Sequence, residues 1–140
     1  MSNGDEAILE VRGLKVGIED TPILKGIDLR IPKGEIHAIM GRNGSGKTTT
    51  ANVIMGHPAY DVEEGEILLD GENLQEMEPW ERSRKGVFLS FQYPQSIPGL
   101  QVGNFLRKSV SSVRGEEAAR GSDFREKLNH AMEELSLIHI

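Results

Sequence analysis

The stretch GRNGSGKTTT at residues 41–50 combines glycines, one lysine and three consecutive threonines. Gly41, Gly46, Lys47 and Thr48 satisfy the pattern G-x-x-x-x-G-K-[ST], in which the glycines let successive backbone N–H groups point at one anion. The lysine adds a full positive charge for the outer phosphates of a nucleotide, and the threonine hydroxyl can ligate Mg²⁺. The spacing therefore predicts a loop that binds nucleotide phosphates together with Mg²⁺.

We predict that the whole of this loop contributes to nucleotide binding. The predicted nucleotide-binding residues are Gly41, Arg42, Asn43, Gly44, Ser45, Gly46, Lys47, Thr48 and Thr49. Lys47 is also a predicted catalytic residue, because its charge offsets charge on the β- and γ-phosphates. The alternative is a glycine-rich turn before an ordinary helix, but a chance match has a probability of only roughly half a percent at average residue frequencies.

The segments on either side are those that such a loop requires. Residues 35–40 end in a continuous apolar run, which predicts a strand buried on both faces. A helix is predicted from Gly46 to about Met55, where Gly56 and Pro58 end it.

The rest of the chain reads as strands followed by helices. Alternating apolar residues predict antiparallel strands at 8–11, 14–18 and 27–31, and further strands are predicted at 66–70, between Gly65 and Gly71, and at 87–91. A short helix is predicted from Pro79 to Arg84. Apolar residues at helical spacing predict helices over 102–113 and over 124–135. A capping box of Asp123 and Glu126 is predicted at the start of the second helix. The charged link RGEEAARG between them predicts a surface loop.

Composition narrows the class of protein. The net charge is −6, with no basic stripe, which argues against nucleic acid as a main partner and against a polybasic membrane anchor. Without cysteine, the chain has no disulfide and no thiolate metal site. No apolar run approaches the roughly 20 residues that span a bilayer, and the first residues do not form a secretory signal. We expect a cytoplasmic domain with no direct membrane insertion.

Around the phosphate loop, the sequence resembles the ATP-binding cassette (ABC) family. The stretch ILKGIDLRIPKGEIHAIMGRNGSGKTTT is similar to the family's β-hairpin and loop strand, EEGEILLDGENL to its next antiparallel strand, and VFLSFQYP to its Q-loop. The resemblance implies an α/β P-loop NTPase fold with an antiparallel β-subdomain, a P-loop core and the start of a helical subdomain. It also implies ATP and Mg²⁺ as ligands, and makes Gln92, 45 residues after Lys47, a catalytic residue and a metal ligand.

Within this family, the FQYP and SIPG stretches and the opening LKVGIEDTPILKGIDL are similar to the SufC-type ATPases of the Suf iron–sulfur cluster assembly system. This resemblance implies SufB- and SufD-like scaffold proteins that dock near Tyr93 to Leu100, and a second cassette in a transient dimer. Two alternatives stay open: the cassette of a membrane importer, and a non-hydrolysing module that uses ATP as a conformational switch.

The stretch ILLD at residues 67–70 superficially resembles a Walker B strand, but its Asp70 lies only 23 residues after Lys47. Gly71 follows where a catalytic glutamate is expected, so we predict that Asp70 starts a turn. No LSGGQ-like signature, no later apolar strand ending in Asp-Glu and no switch histidine is found; His37, His57 and His130 are interpreted as structural or solvated. We therefore expect little hydrolysis by the segment alone, and an apolar sheet edge prone to aggregation.

The resemblance gives a domain organisation. Residues 1–140 are interpreted as the front part of one ABC domain, with the β-subdomain and P-loop core at 7–94 and the start of the helical subdomain at 95–134. The tail LSLIHI at 135–140 matches the translation of a transposon end used in sequencing-library preparation, so we interpret it as a non-native tail; coincidence stays open, because Leu135 and Leu137 continue the apolar pattern.

One departure from the family concerns the base. Many cassettes stack an aromatic residue on adenine about 25 to 30 positions before the lysine, whereas residues 15–20 here offer only Val16 and Ile18. Because stacking on a ring is worth about 1–3 kcal/mol, we predict modest ATP affinity and weak purine discrimination.

Overall fold

A computed structural model describes residues 6–19, 21–93 and 96–134. The chain divides into two compact units, residues 1–90 and residues 91–140, and each is described by itself. The predicted tail at 135–140 lies outside the described residues.

The first unit is built on a four-stranded antiparallel sheet with strand order β2-β1-β3-β4. The strands are β1 (Ala7–Ile18), β2 (Thr21–Pro32), β3 (Asp61–Leu69) and β4 (Glu72–Asn73). Apolar and polar residues alternate along much of these strands, so one face of the sheet becomes the core. The predicted antiparallel β-subdomain is therefore confirmed.

A β-bulge joins what the sequence predicted as two separate strands, at 8–11 and 14–18. Val11 pairs with Leu29 and Leu14 with Ile27, so β1 holds one more residue than β2 over this stretch. Gly13 takes a positive φ of 54°, and its N–H donates to Asp28 Oδ1 at 2.8 Å. The break in alternation at residues 12–13 is thus a bulge within one strand.

Gly65 lies inside β3 and does not mark its start, so the predicted strand at 66–70 was too short. A Cβ there would lie 2.5 Å from Arg12 O and 2.6 Å from Gly13 O, and φ is 92°. The glycine therefore lets β3 approach the bulge of β1 closely.

The predicted helix after the loop is present as α1 (Lys47–Met55), and it packs on the apolar face of the sheet. Gly56 ends it with φ 84°, and its N–H donates to Val53 O at 3.0 Å. The core of this unit consists of Val11, Leu14, Val16, Leu24, Val53, Ile67 and Leu74, the last from the 3₁₀ turn Leu74–Glu76.

Helix α2 (Pro79–Arg84) has the predicted bounds. Proline opens it because the first turn needs no N–H from that residue. The N–H of Glu78 donates to Glu81 Oε2 at 2.9 Å, a capping contact that the sequence analysis did not identify.

The strands predicted at 35–40 and 87–91 are wrong: both segments are irregular. Ile36 is 99% exposed and Phe88 is 85% exposed, although both lie in apolar runs. Strands of this kind are stable only when neighbouring strands satisfy their backbone and helices cover both faces. Within the described residues, neither segment pairs with the antiparallel sheet.

The second unit contains α3 (Val102–Arg114), a 3₁₀ turn (Glu116–Ala119) and α4 (Gly121–Glu134). The predicted surface loop between the helices is therefore partly ordered, and its Ala119 is only 4% exposed. The predicted capping box is also wrong, because α4 begins two residues before Asp123, whose carboxylate pairs with Lys127 at 2.9 Å.

Candidate nucleotide-binding site

The candidate site is the loop that connects residue 40 to the amino end of α1. Gly44 and Gly46 take positive φ angles of 80° and 90°, which residues with a Cβ rarely adopt. A Cβ on Gly46 would lie 2.4 Å from Leu24 Cδ2, so the loop rests directly on β2 at this point. Gly44 and Gly46 thus have the positive φ angles expected of loop glycines, whereas Gly41 does not.

The ammonium of Lys47 is held inside the loop. It donates to Gly41 O and to Arg42 O, both at 2.8 Å, and lies 3.4 Å from Ser45 Oγ. Two carbonyls and a hydroxyl therefore hold the charge in the loop and use its three N–H donors, so a bound anion would replace one of these contacts. The arrangement places one preoriented cation at the centre of the loop.

The amino end of α1 points its unbonded N–H groups at the loop. No side chain caps this end, and the first turn contains no acidic residue. The N–H and the hydroxyl of Thr50 both bond to Gly46 O, at 2.8 and 2.9 Å, which fixes the first turn. The positive end of the helix dipole is therefore available to an anion such as a phosphate.

The two threonines after Lys47 differ in their surroundings. Thr48 is exposed, and its hydroxyl makes no hydrogen bond to any residue that the structure describes. Thr49 is only 9% exposed, so it can reach an anion only through its backbone N–H. Arg42 and Asn43 are exposed at the outer side of the loop.

A cavity of about 280 Å³ lies between β2 and the loop. It is lined by Leu24, Ile27, Asp28, Leu29, Ile39, Met40, Gly41, Ser45, Gly46, Lys47 and Thr50. Lys47, the loop backbone and Asp28 are its polar lining, while Leu24, Ile27 and Leu29 of β2 form an apolar wall. The shape suits a ligand with a charged and an apolar part.

Gln92 belongs to the second unit, where it is exposed. Its role as catalytic residue and metal ligand stays a prediction. Of the predicted docking segment, residues 94 and 95 lie outside the described residues, while Tyr93, Ile97 and Leu100 are 74%, 54% and 41% exposed.

Asp70 is a turn residue, as predicted. Asp70 and Gly71 link β3 to β4 with φ angles of 48° and 80°, the signature of a two-residue hairpin turn. The carboxylate pairs with Lys33 Nζ at 2.9 Å. Two hydrogen bonds raise the pKa of Lys33 above its ordinary value: the bond to Asp70 has the larger effect and the bond to Glu6 the smaller. Nothing in this geometry makes Asp70 a metal ligand of the loop.

The three histidines of interest have local partners. His37 lies 2.8 Å from Glu35, and His130 lies 3.6 Å from Glu134. His57 accepts from the Ala59 N–H at 3.2 Å and meets the ring of Tyr60 edge-on. Across residues 6–19, 21–93 and 96–134, no cluster of three or more His, Asp or Glu residues could hold a metal.

Arg82 is a residue that the sequence analysis missed. It is only 6% exposed, and its guanidinium donates to Met77 O at 2.9 Å and to Val53 O and Ile54 O at 2.8 and 3.0 Å. Burial lowers the pKa of Arg82, and the charge of Glu78 opposes this. No sequence signal distinguishes it from Arg84, which lies exposed in the same helix 4.9 Å from the Trp80 ring.

The sequence matches the family described as ABC transporter over residues 24–140. It is 50% identical over 136 residues to a probable ATP-dependent transporter, ycf16, of Cyanophora paradoxa, covering 92% of this chain and 52% of that protein. It is 43% identical over 131 residues to the probable ATP-dependent transporter slr0075 of Synechocystis, covering 91% and 51%. The chain thus spans about half the length of the curated relatives it matches.

Solved structures resemble the fold. The ATP-binding subunit of an ABC transporter aligns with a TM-score of 0.67 and 27% identity, covering 79% of this chain and 45% of that one. A nucleotide-free ATP-binding cassette aligns with a TM-score of 0.66 and 27% identity, covering 95% and 55%. No helix within the described ranges is both long and apolar enough to cross a bilayer. With its phosphate loop and matching fold, this chain belongs to the ABC transporter family and has the fold of that family's ATPase domain.

Proposed function

We propose that this chain binds ATP together with Mg²⁺ through residues 41–49. One observation carries the proposal: the Lys47 ammonium, held at 2.8 Å by two loop carbonyls, lies at the uncapped amino end of α1. A full charge and a helix dipole then act on the same anion. The cavity beside β2 gives the rest of the nucleotide an apolar wall.

Thr48 of the loop fits Mg²⁺. The hydroxyl of Thr48 is exposed and has no partner among the described residues, so an ion held there displaces no existing bond. Gln92 supplies a second oxygen in this proposal. Bound Mg²⁺ would neutralise charge on the β- and γ-phosphates.

Hydrolysis is proposed for a protein of the length of the relatives. There, Lys47 and the loop amides stabilise charge that develops on the phosphates, and Gln92 helps to orient the attacking water. The 140-residue chain contains no signature or Walker B residues. Since the loss of one preoriented stabiliser typically lowers a rate ~10²–10³-fold, we expect little turnover by the chain itself.

We further propose that the protein is the cytoplasmic ATPase of a Suf-type iron–sulfur assembly system. Support comes from the FQYP and SIPG stretches, and from the exposure of Tyr93, Ile97 and Leu100 within the docking segment. Exposed aromatic and apolar side chains of this kind are typical of interface centres. SufB- and SufD-like scaffold proteins are the proposed partners, with a second cassette completing a transient dimer.

A membrane transporter cassette is the second candidate. The relatives favour it, since they are named as probable ATP-dependent transporters or ABC transporter ATP-binding proteins. In that case the same exposed segment receives a helix of a membrane subunit.

Calorimetric titration with ATP and Mg²⁺ tests nucleotide binding. Lys47→Ala should weaken binding by about 10- to 100-fold, because a charged hydrogen-bonding contact is worth about 1.5–3 kcal/mol. Lys25→Ala is the matched control, since it removes the same charge from an exposed position on β2. Equal affinities of Lys47→Ala and the wild type would refute the proposal.

Affinity capture with the protein at the length of its relatives tests the two cellular roles. Recovery of soluble iron–sulfur scaffold proteins, lost when Tyr93 is changed to Ala, supports the Suf role. Recovery of membrane permease subunits supports the transporter role instead. ATP turnover that Lys47→Ala abolishes would exclude a non-hydrolysing module.

A further inference from the structure

We propose that Arg82 is a positioning residue for the phosphate loop: its guanidinium fixes the far end of α1 and thereby the direction in which Lys47 and the first-turn N–H groups point. The inference rests on the proposed nucleotide binding and adds a residue to it that lies outside the motif.

The guanidinium joins two segments of the first unit. Its Nη1 donates to Val53 O and Ile54 O, at 2.8 and 3.0 Å, while its Nε donates to Met77 O at 2.9 Å. The carbonyls of the last turn lack the usual partner four residues further on, and Val53 O, which accepts the Gly56 N–H at 3.0 Å, has a second lone pair for the guanidinium. The carboxyl end of a helix also carries partial negative charge. A buried cation therefore satisfies the end of α1 and ties it to the segment that leads into α2.

Gly56 gives the guanidinium its place. A Cβ on Gly56 would lie 2.9 Å from Arg82 Cζ and 3.0 Å from Nε, and the residue has a φ of 84°. Only a glycine lets the planar group lie against the backbone at the end of α1. The contact is therefore specific in shape as well as in charge.

The other end of α1 carries the chemistry. Helix α1 has only nine residues, so its two ends move together as one rigid rod. Leu24 against Gly46 and the bonds of Thr50 fix the amino end. Val53 in the core and the contact of Arg82 hold the carboxyl end. Loss of the Arg82 contact would shift the carboxyl end, and a rigid rod turns that shift into a change in the direction of Lys47 and of the first-turn N–H groups.

Arg82 also holds the chain that follows it. Its carbonyl accepts from the Val87 N–H at 3.0 Å, and Gln92 comes five residues later in the sequence. This main-chain bond does not depend on the side chain at position 82, so substitutions that remove the guanidinium leave it in place. A residue that only stabilised the fold would affect the unfolding midpoint but not nucleotide affinity in the folded protein.

The test compares Arg82→Met, Arg82→Lys and Arg84→Met in the 140-residue chain. Binding of a fluorescent ATP analogue with Mg²⁺ is measured well below each unfolding midpoint, together with hydrogen exchange of residues 41–56. We expect Arg82→Met to weaken binding about tenfold or more and to speed exchange in α1, because small misplacements of reacting groups have large effects. The affinity of Arg82→Lys should lie between that of Arg82→Met and that of the wild type, since an ammonium cannot bind both segments at once.

The control Arg84→Met removes the same charge from an exposed site of the same helix and should change neither quantity. Folded Arg82→Met with wild-type affinity would overturn the inference. If Arg82→Met does not fold, Gly56→Ala decides, because it keeps the charge and displaces the guanidinium; unchanged affinity in that variant also overturns it. Failure of the proposed function looks different, since the wild-type chain itself would then not bind the analogue.

Discussion

The antiparallel sheet and the two irregular segments at 35–40 and 87–91 are all rich in apolar residues, yet the sheet supplies most of the buried core, and of the segments only Val87 packs against that core. Leu14 and Ile67 in the sheet are fully buried, whereas Ile36 and Phe88 in the segments are 99% and 85% exposed. The sheet strands are joined by short connections or paired through β1, so their backbone partners lie within the unit. Within the described residues, the two segments pair with no strand of the sheet.

The difference shows that hydrophobicity alone does not make a strand. An antiparallel hairpin brings its own partner, whereas a strand of a parallel sheet depends on distant crossovers on both sides. The phosphate loop lies at the boundary between these two regions. It follows an irregular segment, so its shape depends on the contacts of β2 and α1, chiefly Leu24 with Gly46 and the bonds of Lys47.

The largest expected effect contrasts the two regions directly. Ile67→Ala should lower the free energy of unfolding by about 2–5 kcal/mol, because it leaves a cavity in a closed core. Ile36→Ala should change it by at most about 0.5 kcal/mol, as exposed substitutions do. Urea unfolding followed by circular dichroism measures both. Similar losses in the two variants would mean that residues 35–40 are packed after all.

A second contrast lies within the loop. Gly46→Ala should cost about 1–3 kcal/mol in backbone strain and also displace Leu24, so ATP binding should fall more than tenfold. Gly44 has a similar φ, but a Cβ at this position would have no neighbour within 4 Å. Gly44→Ala should therefore weaken ATP binding less than Gly46→Ala. Calorimetric titration of both variants with ATP and Mg²⁺ checks this order. The reverse order would show that β2 does not hold the loop.

The base should contribute little to affinity. Of the two aliphatic residues at the position of the missing aromatic ring, Val16 is fully buried in the core, whereas Ile18 is 37% exposed. Only Ile18 could therefore contact the base. ATP and GTP should therefore bind within about tenfold of each other. Parallel titrations of the two nucleotides measure the ratio. A larger preference would require a base contact that involves neither residue.

The smallest expected effect is at the hairpin turn. Asp70→Asn should leave Mg²⁺-dependent ATP binding within about twofold, since asparagine tolerates the same positive φ. Loss of the exposed ion pair to Lys33 should leave the free energy of unfolding nearly unchanged. Titration with and without Mg²⁺ provides the check. A loss of Mg²⁺ dependence would make Asp70 a metal ligand and contradict its assignment to the turn.

Local signals predicted the parts whose contacts are local. The backbone preferences of one residue or a short motif account for several features. These are the loop glycines, the end of α1 at Gly56, the start of α2 at Pro79 and the turn at Asp70. The family fold followed from the resemblance of longer stretches.

Other features depend on residues far apart in the sequence, and they were missed or misplaced. The bulge at Gly13 needs Asp28, and Gly65 matters only because β3 meets that bulge. Arg82 is defined by the carbonyls of Val53 and Ile54 on another helix. Periodicity reports which residues are apolar but not which partner will cover them, so the strands at 35–40 and 87–91 were overpredicted.

Amide NMR of the chain during titration with ATP and Mg²⁺ tests the central claim most directly. If backbone N–H groups and the Lys47 ammonium converge on the phosphates, the amide signals of residues 44–48 should shift the most and saturate together, while those of Asp70 and Gly71 stay in place. In Lys47→Ala the same shifts should need at least tenfold more ATP. Loop signals that do not move at millimolar ATP would contradict the account.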